Sequence, residues 1–257
     1  MISVTYRELL EAGAHFGHRV SRWHPGMRPY LFGKRNGIHI LDIRETLKGL
    51  IRANHAILKL VGSGGDIVFV GTKRQARPLV EAAAKRCGMP YVVDRWLGGT
   101  LTNFETIKLR VRHLEELEAM ERDGAFLHTN KKVLATMMRD KRKMLRNLQG
   151  LRIMKQMPAG IILIDPKRED NCVREAQRLG VVTVALLDTD CDPGQIDFCV
   201  PANDDSIKSI SIFLRVVSDA VLEGRRLAGR DLEPTAAELG LVAAPAGETG
   251  ALEASGA

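Results

Sequence analysis

A parallel β-sheet covered by helices on both faces, interrupted by one antiparallel helical hairpin, is the fold class this sequence predicts. Three observations carry it. Ile67-Val68-Phe69-Val70 is apolar at every position, which implies a strand buried on both faces. The strand–helix rhythm around it breaks off near residue 103 and resumes at Gly160-Ile161-Ile162-Leu163-Ile164. Between them, across 104–152, apolar residues recur at three- and four-residue steps amid dense charge, the pattern of a protruding coiled-coil hairpin. The chain therefore divides into 1–103, the first part of the α/β domain with an N-terminal loop, and 104–152, the hairpin. The second part of the domain follows at 153–230, and an acidic tail at 231–257.

In chain order, Thr5 is placed to cap a helix over Tyr6–Gly13, with Glu8 completing a capping box. The stretch from Ala14 to Tyr30 reads as an irregular loop in which His18, Arg19, Arg22 and Trp23 stand together. Its three histidines (His15, His18, His24) suggest zinc, but no cysteine is near and the spacing matches no usual ligand set. Aromatic rings interleaved with arginines on irregular backbone fit RNA better, through stacking and phosphate contacts. Asn36-Gly37 marks a hairpin turn that presents Lys34 and Arg35 as further candidate RNA contacts. A helix over 44–60 precedes the apolar strand 67–70. Gly71-Thr72-Lys73-Arg74 follows that strand without the glycine fingerprint of a nucleotide loop, and Lys73 and Arg74 read as phosphate contacts at a helix N-terminus. Tyr91-Val92-Val93 is a third short strand.

Asp94 to Asn103 is the hinge between the sheet and the hairpin. Arg95 and Trp96 offer a charge beside a flat face, which suits a phosphate and a base; a buried Trp anchoring the loop is the plainer reading. Gly98-Gly99 permits a sharp turn, and Thr102 or Asn103 is placed to cap the helix from Phe104. Asn103 at the foot of the hairpin, and Lys108, Arg112, Lys131, Lys132 and Arg142 along it, are the candidate RNA contacts among many solvated charges.

The second half repeats strand and helix, with strands at 160–164, 181–186 and 198–200 and a long last helix to about Arg226. Asp165, Asp188, Asp190, Asp204 and Asp205 follow the strand ends, where open α/β sheets bind ligands. Asp188, Asp204 and Asp205 are a candidate set for a structural divalent cation, while helix capping by Asn203 and Asp204 explains part of the same pattern. No nucleophile or paired acid and base accompanies them, so an enzyme is not expected.

Composition agrees with a polyanion partner. The chain has 257 residues, with 38 Lys and Arg against 31 Asp and Glu. The last 27 residues hold five acids and no bases, so the first 230 carry 38 bases against 26 acids, a net +12. That tail, rich in Ala, Gly, Glu and Pro, reads as disordered. Four cysteines without a Cys-x-x-Cys pair, no signal peptide and no membrane-length apolar run give the expectation of a cytoplasmic protein.

Several motifs, in this order, resemble the bacterial small-subunit ribosomal protein two family. They are Gly13-Ala14-His15-Phe16-Gly17-His18, Phe69-Val70-Gly71-Thr72-Lys73-Arg74, Arg95-Trp96-Leu97-Gly98-Gly99-Thr100-Leu101-Thr102-Asn103 and Asn203-Asp204-Asp205. The resemblance covers roughly Tyr6 to Arg226, with Asp94 standing where the family has His and Thr100 where Met is common. It implies a flavodoxin-like sheet with an inserted coiled coil, on the ribosomal RNA of the small subunit, with no cofactor required. It also implies neighbouring small-subunit proteins as partners, among them the large ribosomal protein one, which recruits messenger RNA.

Overall fold

Thr5 opens the first helix: its hydroxyl accepts from the Glu8 N–H, and α1 runs Tyr6–Glu11. Glu8 does not complete a capping box, because its carboxylate turns to Arg215 at 2.5 Å. The computed structural model describes residues 4–124 and 131–230. The expected disorder of the tail lies outside the described residues.

The stretch after α1 is more ordered than its composition suggests. Phe16–Arg19 forms strand β1, and two 3-10 turns, Val20–Arg22 and Pro25–Tyr30, bring the chain to β2 (Leu31–Arg35) and β3 (Ile38–Leu41). The three make a small antiparallel sheet in the order β1-β3-β2, turned at Asn36-Gly37 as expected. Met27, inside the supposed loop, is fully buried. The irregular reading fails because backbone pairing to β3 organises a segment with few β-branched residues.

The main sheet follows the predicted rhythm closely. Helix α2 (Ile43–Gly62) leads to β4 (Ile67–Val70), α3 (Arg77–Cys87) and β5 (Tyr91–Val92). After helices α4 (Phe104–Arg122) and α5 (Lys131–Leu148) come β6 (Gly160–Ile164), α6 (Asp170–Leu179), β7 (Val182–Leu187), β8 (Phe198–Pro201) and α7 (Ile207–Leu227). The five strands pair in parallel in the order β5-β4-β6-β7-β8.

Alternation along each strand feeds two cores. Ile67, Phe69, Ile162, Ile164, Val184 and Leu186 face one core, closed by α2, α3 and α7. Val68, Val70, Ile161, Leu163, Ala185 and Leu187 face the other, with α6 and the inner ends of α4 and α5. This double burial explains why the strands are apolar throughout. Helices α4 and α5 lie side by side, joined by the Lys141–Glu121 ion pair. Phe104, Ile107, Val111, Leu114 and Leu117 of α4 are buried, whereas only Leu148 of α5 is. No helix among the described residues is long and apolar enough to cross a membrane.

Candidate nucleic-acid interface at the carboxyl edge of the sheet

Counted along the parallel strands, the order is 2-1-3-4-5. Sheets of this order bind small ligands outside the strand ends where the order reverses, here between β4 and β6. The chain's own side chains meet across that point. Glu169, 3% exposed, accepts from the Thr72 hydroxyl and, at 3.2 Å, from the Thr72 N–H. Arg168 Nε donates to the same hydroxyl at 3.0 Å. Burial pushes the Glu169 carboxyl above its usual range.

Lys73 turns to the residues that follow β8 instead of projecting outward. Its ammonium lies 2.7 Å from Asp204 Oδ1 and 2.5 Å from Asp205 Oδ1. Its expected place at a helix N-terminus is corrected, since α3 begins only at Arg77, with Pro78 in the first turn where no N–H is needed. Burial alone would lower the Lys73 pKa; the two carboxylates outweigh it and hold the ammonium charged. Arg74, one residue on, is exposed.

His18 completes the cluster from β1. Its Nδ1 sits 2.9 Å from Asp188 Oδ2, off the line of an ideal hydrogen bond, and its Nε2 sits 3.6 Å from Asp205 Oδ2. Contact with Asp188 raises the imidazole pKa to about 9 against the opposing effect of burial. Burial, then the charge of Asp188, raises Asp204 to about 7 despite its pairing with Lys73. Close approach of β1 to the end of β7 makes this possible. A Cβ on Gly17 would meet Thr189 Cγ2 at 2.4 Å, and the His18 N–H donates to the Thr189 hydroxyl at 2.9 Å. The three candidate cation ligands do not converge as expected. Asp205 is exposed, and the trio whose ligand atoms lie within 4.8 Å of one another is His18, Asp188 and Asp204. Capping is also redistributed: Ser206 caps α7, while the Asn203 side chain accepts from the Asp205 and Ser206 N–H groups.

Around this edge stand cations without anions. Arg19, Arg22, Lys34, Arg35, Arg74 and Arg95 are all exposed, and none makes an ion pair among the described residues. Arg19 and Arg22 line a cleft of about 520 Å³ with His18, Asp188 and Asp205. Lys34 and Arg35 end β2 at the turn beside them, where the Val20 N–H reaches Gly37 O at 3.0 Å. Trp23 is half-buried with its ring 5.3 Å from that of His39, so only part of its face is available.

At the hinge, Arg95 and Trp96 separate. Trp96 is 5% exposed and packs in the core beneath α4, which leaves no face for stacking on a base. Its indole N–H donates to Glu175 Oε1 at 3.0 Å. Glu175, on α6, is the residue organising this loop that sequence reasoning missed. It also accepts from the Gly99, Leu101 and Thr102 N–H groups at 2.8, 2.9 and 3.1 Å. Burial alone would raise its pKa; these donors lower it. Asn103 is exposed and precedes α4 without capping it, its side chain accepting from the Thr106 hydroxyl. Lys108 lies over the Phe104 ring at 4.5 Å and pairs with Glu105, while Arg112, Lys131, Lys132 and Arg142 are exposed along α4 and α5.

Topology and site together define an α/β protein of flavodoxin-like strand order whose usual ligand crevice is crossed by internal contacts and ringed by unpaired cations. The chain belongs to the ribosomal protein S2 family, whose model matches residues 9–224. Similar proteins include the small ribosomal subunit protein uS2 of Rhodopirellula baltica, 51% identical over 92% of this chain and 91% of the relative. Those of Borrelia recurrentis and Treponema pallidum are 45% and 44% identical, covering 89% and 87% of this chain and 90% and 77% of the relatives.

Proposed function

We propose that this protein is a structural constituent of the small ribosomal subunit. It binds the ribosomal RNA of that subunit through dispersed basic contacts and helps dock ribosomal protein one. The family match along most of the chain supports the ribosomal role. The observation that carries the RNA contact is the set of exposed cations at one sheet edge, Arg19, Arg22, Lys34, Arg35, Arg74 and Arg95, left without intramolecular anions among the described residues. Phosphates attract such charges without any fixed pocket, and they position a protein more than they convey sequence. We read α4 and α5 as a coiled-coil arm. The seam is buried at the inner end, and exposed Arg112, Lys131, Lys132 and Arg142 extend the basic surface outward. Expression of a tagged chain followed by gradient sedimentation tests the proposal: the protein should travel with small subunits, and recovery only in the light fractions would refute it.

A second reading concerns a structural divalent cation at His18, Asp188 and Asp204, favoured by the convergence of their ligand atoms. Such an ion requires His18 to give up its proton and competes with the Lys73 ammonium for Asp204. Titration with zinc or magnesium ions tests it: a rise in Tm that Asp188→Asn abolishes supports the ion, and no rise leaves Lys73 and His18 as the counter-charges of the cluster among the described residues.

A further inference from the structure

Glu175 collects more donors than any helix-surface glutamate needs. Its Oε1 accepts from the Trp96 indole and the Gly99 N–H, and its Oε2 from the Leu101 N–H, the Thr102 N–H and, at 3.3 Å, the Thr102 hydroxyl. All five donors belong to the segment that directly follows Arg95. On its other side Arg95 is flanked by Asp94, which is anchored by Arg77 at 3.0 Å and Arg146 at 2.8 Å. The exposed guanidinium thus rises from a short stretch pinned at both ends, beside a cleft of about 380 Å³ shared with Arg168 and Asn171.

We propose that Glu175 is a positioning residue of the interface: it fixes the loop 96–102 so that Arg95 is held ready for a phosphate of the RNA. This rests on the reading of Arg95 as an RNA contact. The physical reason is pre-organisation. A long arginine side chain on a mobile loop loses backbone freedom on binding, whereas one on a clamped loop has already lost it in folding. A carboxylate suits the task because it only accepts, and each of its two oxygens takes more than one of these N–H donors. A glutamine in its place presents an NH₂ group to donors and leaves at least two of them without an acceptor.

The test is a double-mutant cycle on the full chain, with full-length small-subunit ribosomal RNA as the probe and affinities corrected for the folded fraction. Arg95→Ala should weaken binding about fivefold and reduce the slope of log affinity against log salt by about one. Glu175→Gln should weaken binding about threefold and speed amide exchange at Gly99, Leu101 and Thr102. The double variant should bind no worse than Arg95→Ala alone, because Glu175 acts through Arg95. Multiplying effects, or a silent Glu175→Gln beside a weakened Arg95→Ala, would overturn the positioning role alone. A silent Arg95→Ala would overturn the RNA reading of that residue along with it. Where Glu175→Gln does not fold, Trp96→Phe removes one donor, keeps a smaller aromatic ring in the core and takes its place in the same cycle, with affinities again corrected for the folded fraction and read against the same outcomes.

Discussion

His18 is held charged by a buried partner, which makes pH the simplest probe of the carboxyl-edge cluster. Its folded pKa of about 9 exceeds the ordinary value of 6.5 because Asp188 contacts the ring. A raised histidine contributes stability that is fully present below pH 6.5 and is lost as pH climbs through 9. Asp204 acts in the same direction at lower pH. Its carboxyl is raised from 3.8 to about 7, so the folded state binds its proton more tightly and stability falls across that interval. We expect Tm to decline from pH 6.5 to 9, with a loss on the order of 2 kcal/mol attributable to His18 once solvent screening of its partly exposed ring is allowed for. In Asp188→Asn the decline should flatten, although the variant starts less stable. Thermal melts at half-unit steps check this, and an equal slope in both proteins would place the cause elsewhere. Lys73 gives a complementary prediction. Lys73→Met leaves buried Asp204 beside Asp188 without its counter-ion, which should cost roughly 3–5 kcal/mol as judged by denaturant unfolding.

Among the elements, the hinge loop separates two glycines that look equivalent in sequence. Gly99 has φ +88, a conformation few side chains adopt, whereas Gly98 has nothing within 4 Å of an added Cβ and no positive φ. Gly99→Val should therefore cost roughly 1–3 kcal/mol while Gly98→Val stays near neutral, as measured by Tm. Trp96→Ala should cost roughly 3–5 kcal/mol, the toll of emptying a core site. The same contrast shows what sequence can reveal. Strands β4, β6 and β7 were legible because burial on both faces demands apolar residues at every position. The turn at Asn36-Gly37 was legible because two positive φ values exclude most residue types. Strand β1 was not, since Phe16-Gly17-His18-Arg19 owes its extension to pairing with β3 and to the contact of Gly17 with Thr189. Glu175 was invisible for a different reason. Most of its partners are backbone N–H groups, which carry no residue-type signal, and they lie more than seventy positions away. Lys73 was misplaced because Asp204, 131 residues distant, competes for its charge.

At the scale of the whole molecule, the excess charge of the body and its placement make one prediction about how the protein holds RNA. Lys34 and Arg35 immediately precede the exposed β2–β3 turn and bury almost nothing. Their removal should leave the fold intact, so any change in binding reports the contact itself. Each phosphate contact adds nearly one unit to the slope of log affinity against log salt, because a bound cation displaces condensed counterions. Lys34→Ala with Arg35→Ala should therefore lower the slope for small-subunit ribosomal RNA by about two if both reach phosphates, and by about one if a single residue does. The loss should be similar for unrelated RNA sequences, since phosphates present the same group everywhere. Filter binding across a salt series measures both quantities. An unchanged slope would remove this turn from the interface and confine the RNA contact to Arg19, Arg22, Arg74, Arg95 and the paired helices. A sequence-dependent loss would mean that the turn reads base edges, a role that two flexible cations on a tight turn are poorly shaped to perform.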